Sequence, residues 1–139
     1  MHRREAMKGL GLAALAMSTA TAAEAEDITP DTVYELRVYH LNPGKLPLIL
    51  ERFKKETKIF ERLGMHGIGY WTPVDGTIEP NTLVYMLRHK SREAARASWA
   101  AFSKDPEWVA LKTETEKDGA FVKLHESTFL RLTDFSPKP

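Results

Sequence analysis

A glutamate and an arginine stand two residues apart in the stretch YELRVYHLNPGK, residues 34–45. The β-branched and aromatic residues around them predict a strand, so Glu35 and Arg37 share one face of it. A carboxylate beside a guanidinium can position a polar ligand or tune a proton-transfer group. The same pair can instead form a charged seam that fixes the register of two packed sheets. Both interpretations are open, and the seam is favoured.

Neighbouring strands are expected to add two more charges to this pair. Arg88 lies in a predicted strand at residues 81–89, and Glu126 lies in another at 122–132. Antiparallel pairing could bring both close to Glu35 and Arg37. Four charges of alternating sign would suit a seam, and the same four would suit a polar ligand site.

Four histidines lie on or beside predicted strands, at positions 40, 66, 89 and 125. Their spacings do not match the short motifs that hold a metal ion on one element. We therefore predict no metal site. A histidine at a strand end is usually solvated or hydrogen-bonded, but His40 and His125 remain candidates for contact with a ligand.

Aromatic side chains could line a pocket between the sheet and the helices, where apolar walls with a few polar groups commonly bind small molecules. Two of them, Trp99 and Phe102, are three residues apart in a predicted helix and could equally be plain core. The aromatic candidates for this pocket are Tyr70, Trp71, Tyr85, Trp99, Phe102 and Trp108.

Several classes of chemistry find no support in the sequence. The chain has no cysteine, which excludes disulfides, thiol chemistry and thiolate metal sites. It also lacks a glycine-rich phosphate loop and a Gly-x-Ser-x-Gly elbow, so neither a nucleotide-dependent enzyme nor a serine hydrolase is indicated.

The spacing of apolar residues and the positions of turn-forming residues predict the strands and helices that must position these side chains. Strand patterns cover 33–41, 66–72, 81–89 and 122–132, and helical spacing covers 45–63 and, in two pieces, 92–118. The order β-α-β-β-α-β predicts an α+β, ferredoxin-like subunit with a four-stranded antiparallel sheet. Both faces of the strands are partly apolar, so we expect helices on one face and a second copy of the chain on the other.

The first 25 residues have the layout of an export signal. Arg3, Arg4 and Lys8 precede an uncharged run from Gly9 to Ala23, and a small-x-small site follows. We predict cleavage near Glu26 and an exported, periplasmic or secreted, protein. The paired arginines favour the twin-arginine route over the general one. An uncleaved membrane anchor is the alternative, although the run is short for a span.

The rest of the chain is electrically balanced. Removing residues 1–25 leaves 17 basic and 17 acidic side chains, without a basic cluster. A nucleic-acid partner is therefore not expected. Residues 26–32 are predicted to be a flexible lead-in, and residues 33–137 one domain with an adequate apolar fraction of 42%.

Four motifs on these elements resemble the NIPSNAP family. They are YELRVYHLNPGK, SKDPEWVAL, the Glu126-Ser127 pair within HESTFLRL, and the closing FSP. The resemblance covers about residues 33–137 and implies a dimeric α/β barrel built from ferredoxin-like subunits. It implies no catalytic residue set, because the family has none that is agreed. Some relatives of this fold bind haem through a histidine or oxygenate substrates without a metal.

The leading functional hypothesis is an exported homodimer that binds a small apolar or aromatic ligand between sheet and helices, without a predicted cofactor. The first alternative is a cofactor-independent or haem-using monooxygenase, and the second is a non-catalytic interaction protein filled by side chains. Candidate ligand-binding residues are Glu35, Arg37, Tyr39, His40, Trp71, Tyr85, Arg88, His125 and Glu126; the monooxygenase would rely first on His40, His125, Tyr39 and Trp71.

Overall fold

Seven elements follow one another in the computed structural model, which describes residues 28–139. The predicted export signal lies outside these residues. The element order confirms the predicted one, and the second helical region is indeed split in two. The elements are β1 (Val33–Leu41), α1 (Leu46–Arg62), β2 (His66–Trp71), β3 (Thr82–His89), α2 (Arg92–Lys104), α3 (Pro106–Thr115) and β4 (Val122–Leu130).

The four strands form one sheet in the order β2-β3-β1-β4, and every neighbouring pair is antiparallel. The first and last strands of the chain are thus neighbours, and β1 lies between β3 and β4. This is the ferredoxin-like arrangement predicted from the element order. One of its two inner strands, β1, carries Glu35 and Arg37, so the fold places this pair in the middle of the domain.

Local signals in the sequence explain where the helices begin and end. Ser91 accepts a hydrogen bond from the amide of Ala94 at the start of α2, and Asp105 accepts one from the amide of Trp108 at the start of α3. These side chains satisfy amide groups that have no partner inside the helix. After α1 the chain turns at Gly64 with φ of 86°, a conformation that glycine adopts without strain.

The helices cover one face of the sheet and leave the other face open. The covered face and the helices form the core, which includes Ile49, Phe60, Leu83, Tyr85 and Leu87. The open face carries half-buried and exposed apolar side chains: Leu36, Val38, Trp71, Val84, Met86, Leu124 and Leu130.

A bulge in β2 separates two glycines that the alternation predicts on one face. Gly67 pairs with Leu87 and Gly69 with the next residue, Met86, so the glycines lie on opposite faces. A Cβ atom at Gly67 would collide with the Tyr70 ring. A Cβ atom at Gly69 would collide with the ring of Trp71. The glycines therefore let two aromatic rings lie flat along the strand.

Candidate functional site

Glu35 and Arg37 lie on the face of β1 that the helices cover. Only 1% of Glu35 and 8% of Arg37 are exposed. Tyr39 and Leu41 lie on the same face and belong to the core. The predicted charged seam between two sheets is therefore wrong for this pair, because its side chains point toward the helices and away from the open face.

Glu35 is held by four hydrogen bonds. Its Oε1 accepts from Nε2 of His89 at 2.8 Å and from Nε1 of Trp99 at 2.7 Å. Its Oε2 accepts from Nη1 of Arg37 and from Oγ of Ser127, both at 2.6 Å. Burial alone would raise the pKa of Glu35, but these hydrogen bonds and the Arg37 charge lower the pKa to about 2. Glu35 is therefore a permanent anion at neutral pH.

Arg37 is fixed equally firmly. Its Nε donates to the hydroxyl of Tyr85 at 2.9 Å, and its Nη2 donates to the hydroxyl of Tyr39 at 3.1 Å. The Tyr85 hydroxyl donates in turn to that of Tyr39 at 2.8 Å. The guanidinium also lies 4.1 Å from the centre of the Trp99 indole ring. A buried ion pair with this many partners is rigid, which suits the floor of a binding site.

A cavity of about 350 Å³ lies beside this network, between the sheet and the three helices. Its size is that of a small ligand pocket. Three aromatic side chains, Trp99, Phe102 and Trp108, contribute apolar walls, and Arg37 and Tyr39 contribute polar groups. The other lining residues are Arg52, Glu56, Ser103, Lys112, Glu116, Ala120, Val122 and His125.

A second charged cluster forms another wall of the cavity. Arg52 donates from Nε to Oε1 of Glu56 at 3.0 Å and from Nη1 to Glu116 at 2.6 Å. The Arg52 guanidinium also lies over the rings of Trp108 and Phe121. Burial raises the pKa of Glu56 to about 7, although Arg52 partly opposes this. The carboxyl of Glu56 can therefore gain or lose a proton near neutral pH.

This raised pKa has a consequence for stability. Glu56 holds its proton in the folded state up to about pH 7, whereas its ordinary pKa is 4.5. The folded state binds more protons in that interval, so the free energy of unfolding should fall as the pH rises from about 4.5 to about 7. We expect Glu56→Gln to flatten this decline, because the amide keeps the bond from Arg52 but cannot ionise.

Urea denaturation of both proteins at a series of pH values measures this effect. Glu114→Gln is the matched control, since that exposed side chain pairs with Lys117 on the surface. A decline that persists unchanged in Glu56→Gln would contradict the prediction.

The structure brings together some of the sequence-predicted candidates. Arg37, Tyr39 and His125 line the cavity, and the rings of Tyr39 and His125 are 6.1 Å apart. Glu35 and Tyr85 do not line the cavity but accept hydrogen bonds from Arg37, which does. These five residues form one neighbourhood on the covered face.

The remaining four candidates lie on the other face of the sheet. Glu126 pairs with Val38 of β1 and bonds to Nε2 of His40 at 2.8 Å. Arg88 donates to the carbonyl of Pro139 in the C-terminal tail. Trp71 borders a separate open groove of about 370 Å³. The expected approach of Glu126 and Arg88 to Glu35 is therefore wrong, because the strand register sends their side chains away from it.

Sequence reasoning missed the Arg52, Glu56 and Glu116 cluster. A signal was present in α1, where Arg52 and Glu56 interrupt the buried stripe of Ile49, Phe53 and Phe60 at helical spacing. Charges inside an apolar stripe are rarely buried unless they are paired. Nothing comparable marks Glu116, which follows α3 and reaches Arg52 only through the tertiary fold.

Residues 28–139 contain neither a metal-binding cluster nor a membrane-spanning helix. Within that range no group of three or more histidine, aspartate or glutamate side chains is arranged to hold a metal ion. No helix there has both the length and the apolar character needed to cross a bilayer.

The fold and this cavity define the class of protein. The domain is an α+β, ferredoxin-like subunit with a partly polar cavity between sheet and helices. The NIPSNAP family model matches residues 34–137, and the chain belongs to this family. The motifs that suggested the family in the sequence lie on β1, at the α2–α3 junction, on β4 and in the tail.

Solved structures of the family have the same fold. An uncharacterized NIPSNAP domain protein from Burkholderia xenovorans superposes with a TM-score of 0.63 at 25% identity, covering 76% of this chain and 99% of that one. A NIPSNAP family protein with unknown function from Agrobacterium tumefaciens gives 0.64 at 23% identity, covering 79% and 96%.

A more distant similarity reaches oxygenases. SnoaB, a cofactor-independent oxygenase from Streptomyces nogalater, superposes with a TM-score of 0.52 at 14% identity, covering 78% of this chain and 99% of that one. At this identity the likeness concerns the fold alone. No curated protein matches the sequence.

Proposed function

We propose that this protein is an exported homodimer that binds a small apolar or aromatic ligand in the cavity between sheet and helices. The observation that carries the proposal is the cavity itself, in which aromatic walls and fixed polar groups enclose a volume of about 350 Å³. Pockets of this size and composition are typical ligand sites. The Glu35–Arg37 network supports such a role because it holds Trp99 and Tyr39 in fixed positions before a ligand arrives.

Titration with a neutral aromatic probe, 2-naphthamide, tests ligand binding through tryptophan fluorescence. Trp99 and Trp108 line the cavity and should be quenched as the probe enters. We expect Trp108→Leu to weaken binding about tenfold, because an indole wall contributes more than 1 kcal/mol of contact. Val109→Ala is the control, since this exposed neighbour on α3 does not line the cavity. Equal affinity in wild type and Trp108→Leu, or no binding at all, would contradict the proposal.

The homodimer is proposed from the open face of the sheet. Leu124 and Leu130 are 58% and 39% exposed there, and half-buried Val38 and Val84 lie between them and Trp71. Contiguous apolar surface of this kind usually marks an interaction site. A second copy of the same sheet would offer a face of matching composition, and the His40–Glu126 pair would add a polar contact at its margin.

Leu124→Glu should dissociate this dimer. A glutamate buried against an apolar partner surface has no cation to pair with, so we expect the dissociation constant to rise by at least about 100-fold. Analytical ultracentrifugation over a concentration series measures the change. Val109→Glu introduces the same charge at a similarly exposed apolar residue on α3 and should leave the dimer intact. A dimer that survives Leu124→Glu would place the interface elsewhere.

Export is proposed from the leader sequence alone. Arg3, Arg4 and Lys8 followed by an uncharged run favour the twin-arginine route. Amino-terminal sequencing of the protein recovered from its own host would show whether the mature chain begins near Glu26.

A cofactor-independent oxygenase is the second candidate function. Two observations favour it: the fold likeness to SnoaB, and the position of Tyr39 and His125 together at the cavity. Oxygen consumption with a bound aromatic substrate would distinguish it from a binding protein. For the haem-using version, which needs one histidine to bind the iron, His125 is the candidate that lines the cavity, whereas His40 lies on the other face of the sheet. A packed, non-catalytic interaction protein would bind no probe.

A further inference from the structure

The Arg52 cluster has one cation for two carboxyl groups. Arg52 donates to Glu56 at 3.0 Å and to Glu116 at 2.6 Å. Two carboxylates that share a site resist ionising together. Glu56 is the more deeply buried of the two, with 2% of its side chain exposed against 15% for Glu116. Glu56 is therefore the member of the pair that holds a proton.

The carboxyl of Glu56 also lines the cavity. Arg52 bonds to its Oε1. Within residues 28–139 the enclosed side-chain atoms without a hydrogen-bond partner are Oγ1 of Thr82 and Nδ1 of His89, so Oε2 of Glu56 is not a buried unpaired atom. A carboxyl that lines a cavity and bonds to a shared arginine through one oxygen can receive a ligand contact or a proton at the other.

The titratable and charged groups around Glu56 come from every neighbouring element. Burial raises the pKa of Tyr70 to about 12, and burial raises that of Tyr85 well above its ordinary value, so both phenols stay uncharged. The full set is Arg52 on α1, Arg37 and Tyr39 on β1, Tyr70 on β2, Tyr85 on β3, Lys112 and Glu116 at α3, and His125 on β4. Glu56, with its pKa of about 7, changes charge between about pH 5.5 and about pH 8.5.

The charge of the cavity depends on Glu56. Arg37, Arg52 and Lys112 line it, and Glu35 behind Arg37 and Glu116 beside Arg52 offset two of these cations. With Glu56 protonated, one positive charge is left over. With Glu56 ionised, the cavity is close to neutral. An anion entering the cavity is therefore bound better by the protonated form.

We propose that the cavity binds the anion of an aromatic acid and that Glu56 takes up a proton as the anion enters. This inference rests on the proposed function of the cavity as an aromatic ligand site. The ring would lie among Trp99, Phe102 and Trp108, with the carboxylate toward Arg52. The proton comes from solvent and joins Oε2 of Glu56, and no bond in the ligand forms or breaks.

Two probes of the same shape but different charge separate the effect of charge on binding from the effect of shape. 2-Naphthoate is an anion across the whole range from about pH 5.5 to about pH 8.5, and 2-naphthamide is neutral. If the bound anion raises the pKa of Glu56 by about one unit, naphthoate affinity should fall about tenfold across this range. Naphthamide affinity should change less than about twofold.

Variants assign the proton to one residue. Glu56→Gln resembles the protonated carboxyl and should bind naphthoate with the low-pH affinity of the wild type at every pH. His125→Gln should keep the wild-type pH dependence, although it removes the imidazole that lines the cavity. A pH dependence that persists in Glu56→Gln and disappears in His125→Gln would overturn the assignment to Glu56.

Calorimetry on the wild-type protein tests the proton directly and needs no variant. Naphthoate binding at about pH 7.5, in Hepes and in Tris, should show uptake of about half a proton. The same affinity for naphthoate and naphthamide without proton uptake would overturn this inference but leave the cavity as a ligand site. Failure of both probes to bind would instead overturn the proposed function itself.

Discussion

Glu35→Ala should lower the free energy of unfolding by about 3–5 kcal/mol, because it leaves the buried guanidinium of Arg37 without its anion. The loss also removes the acceptor for His89, Trp99 and Ser127. Urea denaturation at pH 7 and constant protein concentration measures the effect, since dimer formation would make stability depend on concentration.

The free energy of unfolding at acid pH should reveal the same interaction without a mutation. The pKa of Glu35 is lowered to about 2 in the folded state from its ordinary 4.5, so its contribution is complete above about pH 4.5. The contribution is lost as the pH falls from about 4.5 toward 2, when the unfolded chain takes up a proton first. Glu35→Ala should lack this part of the acid transition.

Glu51→Ala is the matched control for Glu35→Ala. It removes the same carboxylate from α1, where 73% of the side chain is exposed and pairs with Lys54. We expect a change within about 0.5 kcal/mol. If the Glu35 variant lost less than about 1 kcal/mol, the buried network would not be the stabilising centre that its geometry indicates.

Phe60→Ala is the second substitution with a large expected effect, about 3–5 kcal/mol. Phe60 is fully buried in α1 and packs against four rings. Those rings are Phe53, Tyr85, Trp99 and Phe102. The substitution leaves a void that close-packed neighbours fill only in part.

The loss of the Phe60 ring should also disturb the walls of the cavity. Trp99 and Phe102 are walls of the cavity and rest on Phe60 at ring distances of 5.5 and 5.1 Å. We therefore expect weaker 2-naphthamide binding in any Phe60→Ala protein that remains folded. Thermal denaturation and the fluorescence titration measure the two effects.

Phe135→Ala provides the comparison for Phe60→Ala. Phe135 is 85% exposed in the C-terminal tail, so its loss should change stability by less than about 0.5 kcal/mol. A Phe60 variant that behaved like the Phe135 variant would show that the aromatic cluster can close around the missing ring.

The Glu35–Arg37 network on β1 and the Arg52–Glu56 cluster on α1 thus have different roles at the site. The Glu35–Arg37 network carries fixed charges and bonds to Trp99 and Tyr39, so it positions the aromatic walls. The Arg52–Glu56 cluster has one cation for two carboxyl groups and contains a carboxyl with a pKa of about 7, so it can respond to a ligand. A rigid support beside a titratable group is a common arrangement in binding and catalytic sites.

Local sequence determined the elements of this protein and their order. Asn42-Pro43-Gly44 ends β1, Ser91 and Asp105 cap two helices, and Gly64 ends a third. These signals act within a few residues, so they can be interpreted without knowledge of distant contacts. The family could also be recognised, because its motifs lie in short continuous stretches on these elements.

Only the tertiary structure decided which residues meet. Alternation along β1 placed Glu35 and Arg37 on one face but left open whether helices or a second sheet cover that face, since both faces are partly apolar. The register of β4 set Ser127 beside Glu35 and turned Glu126 away. The packing of α3 against α1 joined Glu116 to Arg52, and such contacts between distant residues depend on where whole elements lie, which no local pattern encodes.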